Sequence, residues 1–233
     1  MSSKLSIYIG FDPRQPLAYN VMAHSVASRL TRPAAIVRLQ LDQLPITRMG
    51  LTEFTYSRFL APFLCDYDGY SLFLDADMIA LTDVGEILKD VDPTAAVSVV
   101  MHEAIFERPS LMVFNNKRCT MLTPAFLDDP STNPFNLPGW ASKVGALPKD
   151  WNHVVGYNPQ NNAAKVVHYT AGIPCWPETD NCEWAEAWHL ERMAMTATCG
   201  FRELMGASVH VARGIVTPRP LGQRGQLVGA EGA

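Results

Sequence analysis

Strand-like and helix-like segments alternate through the first 75 residues, and that alternation constrains the fold more than any other feature of the chain. Leu5-Ser6-Ile7-Tyr8-Ile9-Gly10-Phe11 alternates and is rich in β-favouring side chains, and Asp12-Pro13 then breaks it. Pro16 to Leu30 reads as a helix, with proline acceptable in its first turn and an apolar stripe of Leu17, Val21, Met22, Val26 and Leu30. Ala34 to Leu39 is a second strand, and Glu53 to Leu64 a second helix whose last turn Pro62 distorts. Ser71-Leu72-Phe73-Leu74 is a third, buried strand. This order requires parallel strands joined by right-handed crossovers. The expected fold class is therefore α/β: one domain with a Rossmann-like mixed sheet and helices on both faces.

Further strands are expected over Ala95–Met101, Leu111–Phe114 and Ala164–Tyr169, and a helix from Glu183 to about Thr196. Residues 128–162, rich in Pro, Asn, Asp and Gly, read as mostly loop. The expected domain covers residues 1–212, with 213–233 as a flexible tail.

At the end of the third strand stands Phe73-Leu74-Asp75-Ala76-Asp77-Met78. Open α/β sheets bind ligands outside the carboxyl ends of their strands. Two acids at i and i+2 on extended backbone project to the same side, where they repel unless a cation lies between them. A hard divalent ion, Mn²⁺ or Mg²⁺, meets that need and takes phosphate oxygens as further ligands. Asp66/Asp68 and Asp90/Asp92 repeat the spacing but sit among turn-forming residues, where solvated carboxylates are expected.

Charge and apolar patterning narrow the partners. There are 19 Lys and Arg against 23 Asp and Glu, a net charge of −4, and no basic block, which argues against a nucleic-acid backbone as ligand. No apolar run approaches the roughly 20 residues of a bilayer span. The N-terminus leads into a strand without a signal-peptide pattern, and five cysteines (Cys65, Cys119, Cys175, Cys182, Cys199) form no Cys-x-x-Cys pair. A cytoplasmic protein with buried thiols is the expectation.

Five landmarks in order, Tyr8-Ile9-Gly10-Phe11-Asp12, Tyr56-Ser57-Arg58-Phe59-Leu60-Ala61-Pro62, Phe73 to Met78, Leu147-Pro148-Lys149-Asp150-Trp151-Asn152 and His168-Tyr169-Thr170-Ala171-Gly172, resemble GT-A glycosyltransferases of the family 8 type. The resemblance implies a nucleotide sugar donor, UDP-linked, with Mn²⁺ or Mg²⁺ held by Asp75, Asp77 and His168. It implies that Tyr8, Ile9, Gly10, Asp12, Arg58, Asp75 and Ala76 contact the donor, and that Asp75, Asp77, Arg58 and Asn152 serve catalysis. It further implies hexosyl transfer with retention to a hydroxyl acceptor on a glycan, lipid or protein. The chain departs from the pattern at three places. Arg108-Pro109-Ser110 replaces an Asn-x-Gly, residues 133–150 hold no Asp-Gln pair, and Pro174 replaces a lysine. All three positions contact donor sugar or phosphate in that family.

Two other readings compete. One is a degenerate module that binds a nucleotide sugar without turnover. The other is a haloacid-dehalogenase-like phosphatase, which also ends a strand in Asp-x-Asp and for which Asp128-Asp129 would supply the late acids. Against the latter, Ile79 stands where that family has Thr or Val.

Overall fold

The computed structural model describes residues 4–197. Residues up to Met195 form one compact unit, and a second begins at Thr196. The expected boundary at 212/213 and Cys199 lie outside the described residues.

Strands β1 (Leu5–Gly10), β2 (Ala35–Leu39) and β3 (Tyr70–Leu74) are parallel, with Tyr8 opposite Val37 on one side and Phe73 on the other. Helix α1 (Pro16–Arg29) makes the first crossover. Beyond β3 the sheet turns antiparallel through β6 (Leu111–Asn115) and β5 (Val97–Val100), and β7 (Val144–Leu147) adds a parallel edge, giving the order β2-β1-β3-β6-β5-β7. A small second sheet pairs β4 (Met78–Ala80) with β9 (Val166–His168) and β9 with β8 (His153–Val154).

The two-residue period of the strands sorts the core into two layers. Ile7, Ile9, Leu72, Leu74 and Val113 pack with Met22 and Val26 of α1 on one face. Tyr8, Phe73, Met112 and Phe114 pack with Phe54, Phe59 and Leu60 on the other. Ser25, fully buried in α1, donates to the Met22 carbonyl and accepts the Ala80 amide, which ties α1 to β4.

Two elements differ from the sequence expectation. The helix of 53–64 is divided into α2 (Phe54–Ser57), a 3₁₀ turn (Arg58–Leu60) and α3 (Ala61–Leu64). Pro62 has no N–H for the Arg58 carbonyl, so the chain tightens just before it. Residues 128–162 contain β7, which the loop-like composition conceals. A Val-Gly-Ala-Leu segment has weak strand propensity, but Gly145 lies so close to Ser98 of β5 that a Cβ would sit 2.6 Å from its Oγ.

Gly10 is where the fold reaches the site. A Cβ there would lie 2.5 Å from the ring of Phe54, a cavity-lining residue. Gly10→Ala is expected to lower stability by about 1–3 kcal/mol through overpacking, measured by urea unfolding.

Candidate metal and nucleotide site

Backbone pairing brings the acidic residues and the histidine together. The β4–β9 ladder sets Met78 opposite His168, and the Tyr169 amide donates to the Asp77 carbonyl at 2.9 Å. The β3–β6 ladder runs one residue further, with the Asp75 amide donating to the Ser110 carbonyl at 3.0 Å. Ligand-capable atoms of Asp75, Asp77 and His168 all lie within 4.8 Å of one another. They line a cavity of about 710 Å³ that also takes in Asp12, Arg58 and Ala76, a size suited to a small-molecule ligand.

Carboxylates outnumber cations in this wall. Arg58 is buried, with Nη2 3.1 Å from Asp75 Oδ1 and Nη1 donating to the Pro109 carbonyl at 2.9 Å. Its guanidinium lies 5.0 Å from the Phe73 ring centre, which fixes its plane. Burial nevertheless pushes the Asp75 carboxyl up to about 7; Arg58 opposes the shift and Asp77 adds to it. His168 Nε2 is 3.3 Å from Asp77 Oδ1. Burial alone would lower the imidazole, but Asp77, Asp75 and Glu107 together raise it to about 9. Buried Oδ1 atoms of both aspartates have no hydrogen-bond partner, because the neighbouring cations lie off the hydrogen-bond direction. Two orphaned carboxylate oxygens and an imidazole nitrogen are a donor set that fits Mn²⁺ or Mg²⁺, and the fit is to the residues alone.

The remaining expected site residues divide between the cavity and the core. Asp12 lines the cavity and is held by Arg14, which donates to Oδ1 from Nε at 2.9 Å and depresses the carboxyl. Tyr8, Ile9 and Gly10 are instead buried in the sheet: Ile9 is in the α1 layer, and the Tyr8 hydroxyl sits 3.0 Å from the Cys65 sulfur. Both faces of β1 are covered, so the strand opens to the cavity only past its end. Asn152 is fully buried behind the wall, where Nδ2 donates to Ser110 Oγ at 2.8 Å. It braces the segment that carries Glu107. Asp128 accepts the Thr47 and Arg48 amides, each at 2.8 Å, and Asp129 accepts from Ser131. The first ties a distant loop and the second closes a turn, and neither residue lines the cavity of Asp75, so Asp128 and Asp129 do not supply a second acid of the phosphatase kind.

Glu107 is the residue that sequence reasoning missed. It is 2% exposed, sits 3.3 Å from His168 Nδ1, and accepts from Thr170 Oγ1 at 2.7 Å. It belongs to a 3₁₀ segment (Ile105–Ser110) far in sequence from His168, and no spacing rule links the two. The one available signal is a glutamate just ahead of a strand whose neighbour ends in Asp-x-Asp.

No protein-family model matches the chain. Protein CDI of Arabidopsis thaliana is 28% identical over 218 residues, covering 78% of this chain and 83% of that protein. Among solved structures, the WbbM bifunctional glycosyltransferase superposes with a TM-score of 0.54 at 17% identity, covering 83% of this chain and 52% of its own. The galactosyltransferase LgtC, solved with donor and acceptor sugar analogues, gives 0.52 at 13% identity, covering 85% of this chain and 99% of its own. The fold is the GT-A fold. This GT-A chain spans about half the length of WbbM and nearly all of LgtC. No helix among its described residues is long and apolar enough to cross a membrane.

Proposed function

We propose that this GT-A protein is a metal-dependent hexosyltransferase. In this reading it takes a nucleoside diphosphate sugar, UDP-linked, as donor and passes the hexose to a hydroxyl with retention at the anomeric carbon. The observation that carries the reading is the convergence of Asp75, Asp77 and His168 on one cavity wall, with a buried oxygen of each aspartate left without a hydrogen bond. The GT-A fold supports it, as do the names of the two structures above, a bifunctional glycosyltransferase and a galactosyltransferase.

Asp75, Asp77 and His168 would hold the ion, Mn²⁺ or Mg²⁺. Bound there, it supplies Lewis-acid neutralisation of a departing diphosphate. The chain's own contribution is orientation. Arg58 fixes the Asp75 carboxylate and is itself fixed by Pro109 and Phe73. Glu107 faces His168 Nδ1 and so directs the ring's other nitrogen towards Asp77, leaving Nε2 to ligate. Glu107→Gln is expected to weaken Mn²⁺ binding about 10–100-fold by isothermal titration calorimetry.

The direct test is a thermal-shift series with UDP, GDP and ADP sugars, with and without Mn²⁺. At 100 times its dissociation constant a ligand stabilises the native state by about 2.7 kcal/mol. A Mn²⁺-dependent shift with UDP sugars supports the proposal, and a flat response to every donor overturns it. Donor binding with neither transfer nor hydrolysis would favour the degenerate-module reading.

A further inference from the structure

Next to the metal-ligand cavity lies a second one of about 760 Å³, and the two share Phe106, Pro109 and Phe135 as common walls. We propose that this second cavity binds the acceptor, and that the acceptor is a small molecule whose hydroxyl is carried on an aromatic ring. The assignment rests on the glycosyl-transfer reading above.

Four observations carry it. The first is continuity: a molecule in the second cavity can present its hydroxyl past Phe106 and Pro109 towards a sugar held beside Asp75 and Asp77. The second is the scarcity of polar partners. Met101, Ile105, Leu137, Pro138 and Val144 dominate the remaining wall, whose polar side chains are Glu103, Asn136 and Arg108, the last already donating from Nε to the His102 carbonyl at 2.9 Å. A sugar acceptor, with several hydroxyls, would find few partners on so apolar a wall. An aromatic body has no such groups to satisfy.

Ring geometry is the third. Phe135 is held edge-on by Tyr56 and Phe59, with centroids 5.7 and 5.1 Å away, and Phe106 is held edge-on by Tyr157 at 5.8 Å. Phe106 and Ile105 are nonetheless 64% and 68% exposed. The Phe135 ring, braced by Phe59 and set beside exposed apolar groups, offers a planar ligand offset-stacked and edge contacts. Size is the fourth, since the volume matches a single drug-sized molecule.

The chemistry agrees. A phenol ionises near pKa 10, so its hydroxyl needs little help to become a nucleophile. The acceptor oxygen bonds to the anomeric carbon, the bond from that carbon to the diphosphate oxygen breaks with its electron pair, and the hydroxyl proton passes to the departing diphosphate. No base from the chain is required.

The test is calorimetric titration of 2-naphthol into the full chain saturated with UDP and Mn²⁺. Binding is expected in the wild type, weaker by about tenfold or more in Ile105→Asp and in Met101→Asp. Both positions are solvent-exposed, so the fold and the UDP affinity should not change. Methyl β-D-glucopyranoside should show no binding. The proposal is overturned if a wild type that binds UDP refuses 2-naphthol, or if both variants bind 2-naphthol as well as the wild type. It is also overturned if the glucoside or a tyrosine-bearing peptide is preferred. Loss of UDP binding with naphthol binding intact would instead place the failure in the donor reading and remove the acceptor assignment with it.

Discussion

Asp77→Asn should abolish metal-dependent UDP binding while leaving the protein folded. The side chain is about the same size and is 29% exposed, so the substitution opens no core cavity. It removes one of the two carboxylates that converge on the site and presents an amide to His168 Nε2 in place of an anion. Altering a group that only orients a metal ligand costs up to about 100-fold in affinity, so losing the ligand charge itself should cost at least about 100-fold. Calorimetry with Mn²⁺ and UDP, alongside circular dichroism, separates binding from folding. Unchanged UDP affinity and unchanged metal dependence in the variant would show that the site lies elsewhere.

Metal-free protein should lose stability as pH rises from about 6.5 to about 9, and Mn²⁺ should reverse the trend. Between about 4 and 6.5 the loss from Asp75 is opposed by His102, which burial holds down to about 4. Burial raises the Asp75 carboxyl to about 7 against its usual 3.8, so between those values the native state holds a proton that the unfolded chain has released. The three carboxylates around His168 raise it to about 9 against 6.5, with the same consequence in the higher window. Where the native state binds more protons, unfolding becomes easier as pH increases. Both contributions are present in full only below the unfolded values, and each is lost as pH passes through the folded one. A divalent cation replaces those protons and competes best when they have left. The Mn²⁺-induced rise in melting temperature should therefore be larger at pH 8.5 than at pH 6. A metal effect that is equal at both, or larger at pH 6, would contradict the placement of charge around Asp75 and His168.

Periodicity made the sheet legible. Strands β1, β2 and β3 and helix α1 follow from alternation in the first strand, short apolar β-favouring runs in the next two, Pro16 and the turn residues between them, because each signal is local to its own segment. Strand β7 escaped because its pairing partner, not its own side chains, makes it a strand. Asp75 and Asp77 were readable because a strand end constrains both at once. His168 was not readable from its surroundings; only its place among ordered landmarks singled it out. Glu107 had neither a periodic neighbourhood nor a landmark, and its contacts exist only after β6 and β9 have been placed. The landmark at β1 marked the correct end of the strand, but pleating turns Tyr8 and Ile9 into opposite faces that are both covered. The cavity therefore begins at Asp12.

The pairing of Met78 with His168 also bears on the order in which this protein can acquire its chemistry. Both carboxylates belong to the first 77 residues and the imidazole to the last strand of the small sheet, so the ligand set spans one of the most non-local contacts in the fold. Closing so long a loop is entropically slow and comes late when local pairs form first. A folding intermediate with β1, β2 and β3 in place would already carry the two acids, yet hold a cation only weakly. In the proposed reading, capture of an ion would coincide with docking of β9, and metal present during refolding would act as a latch on that step.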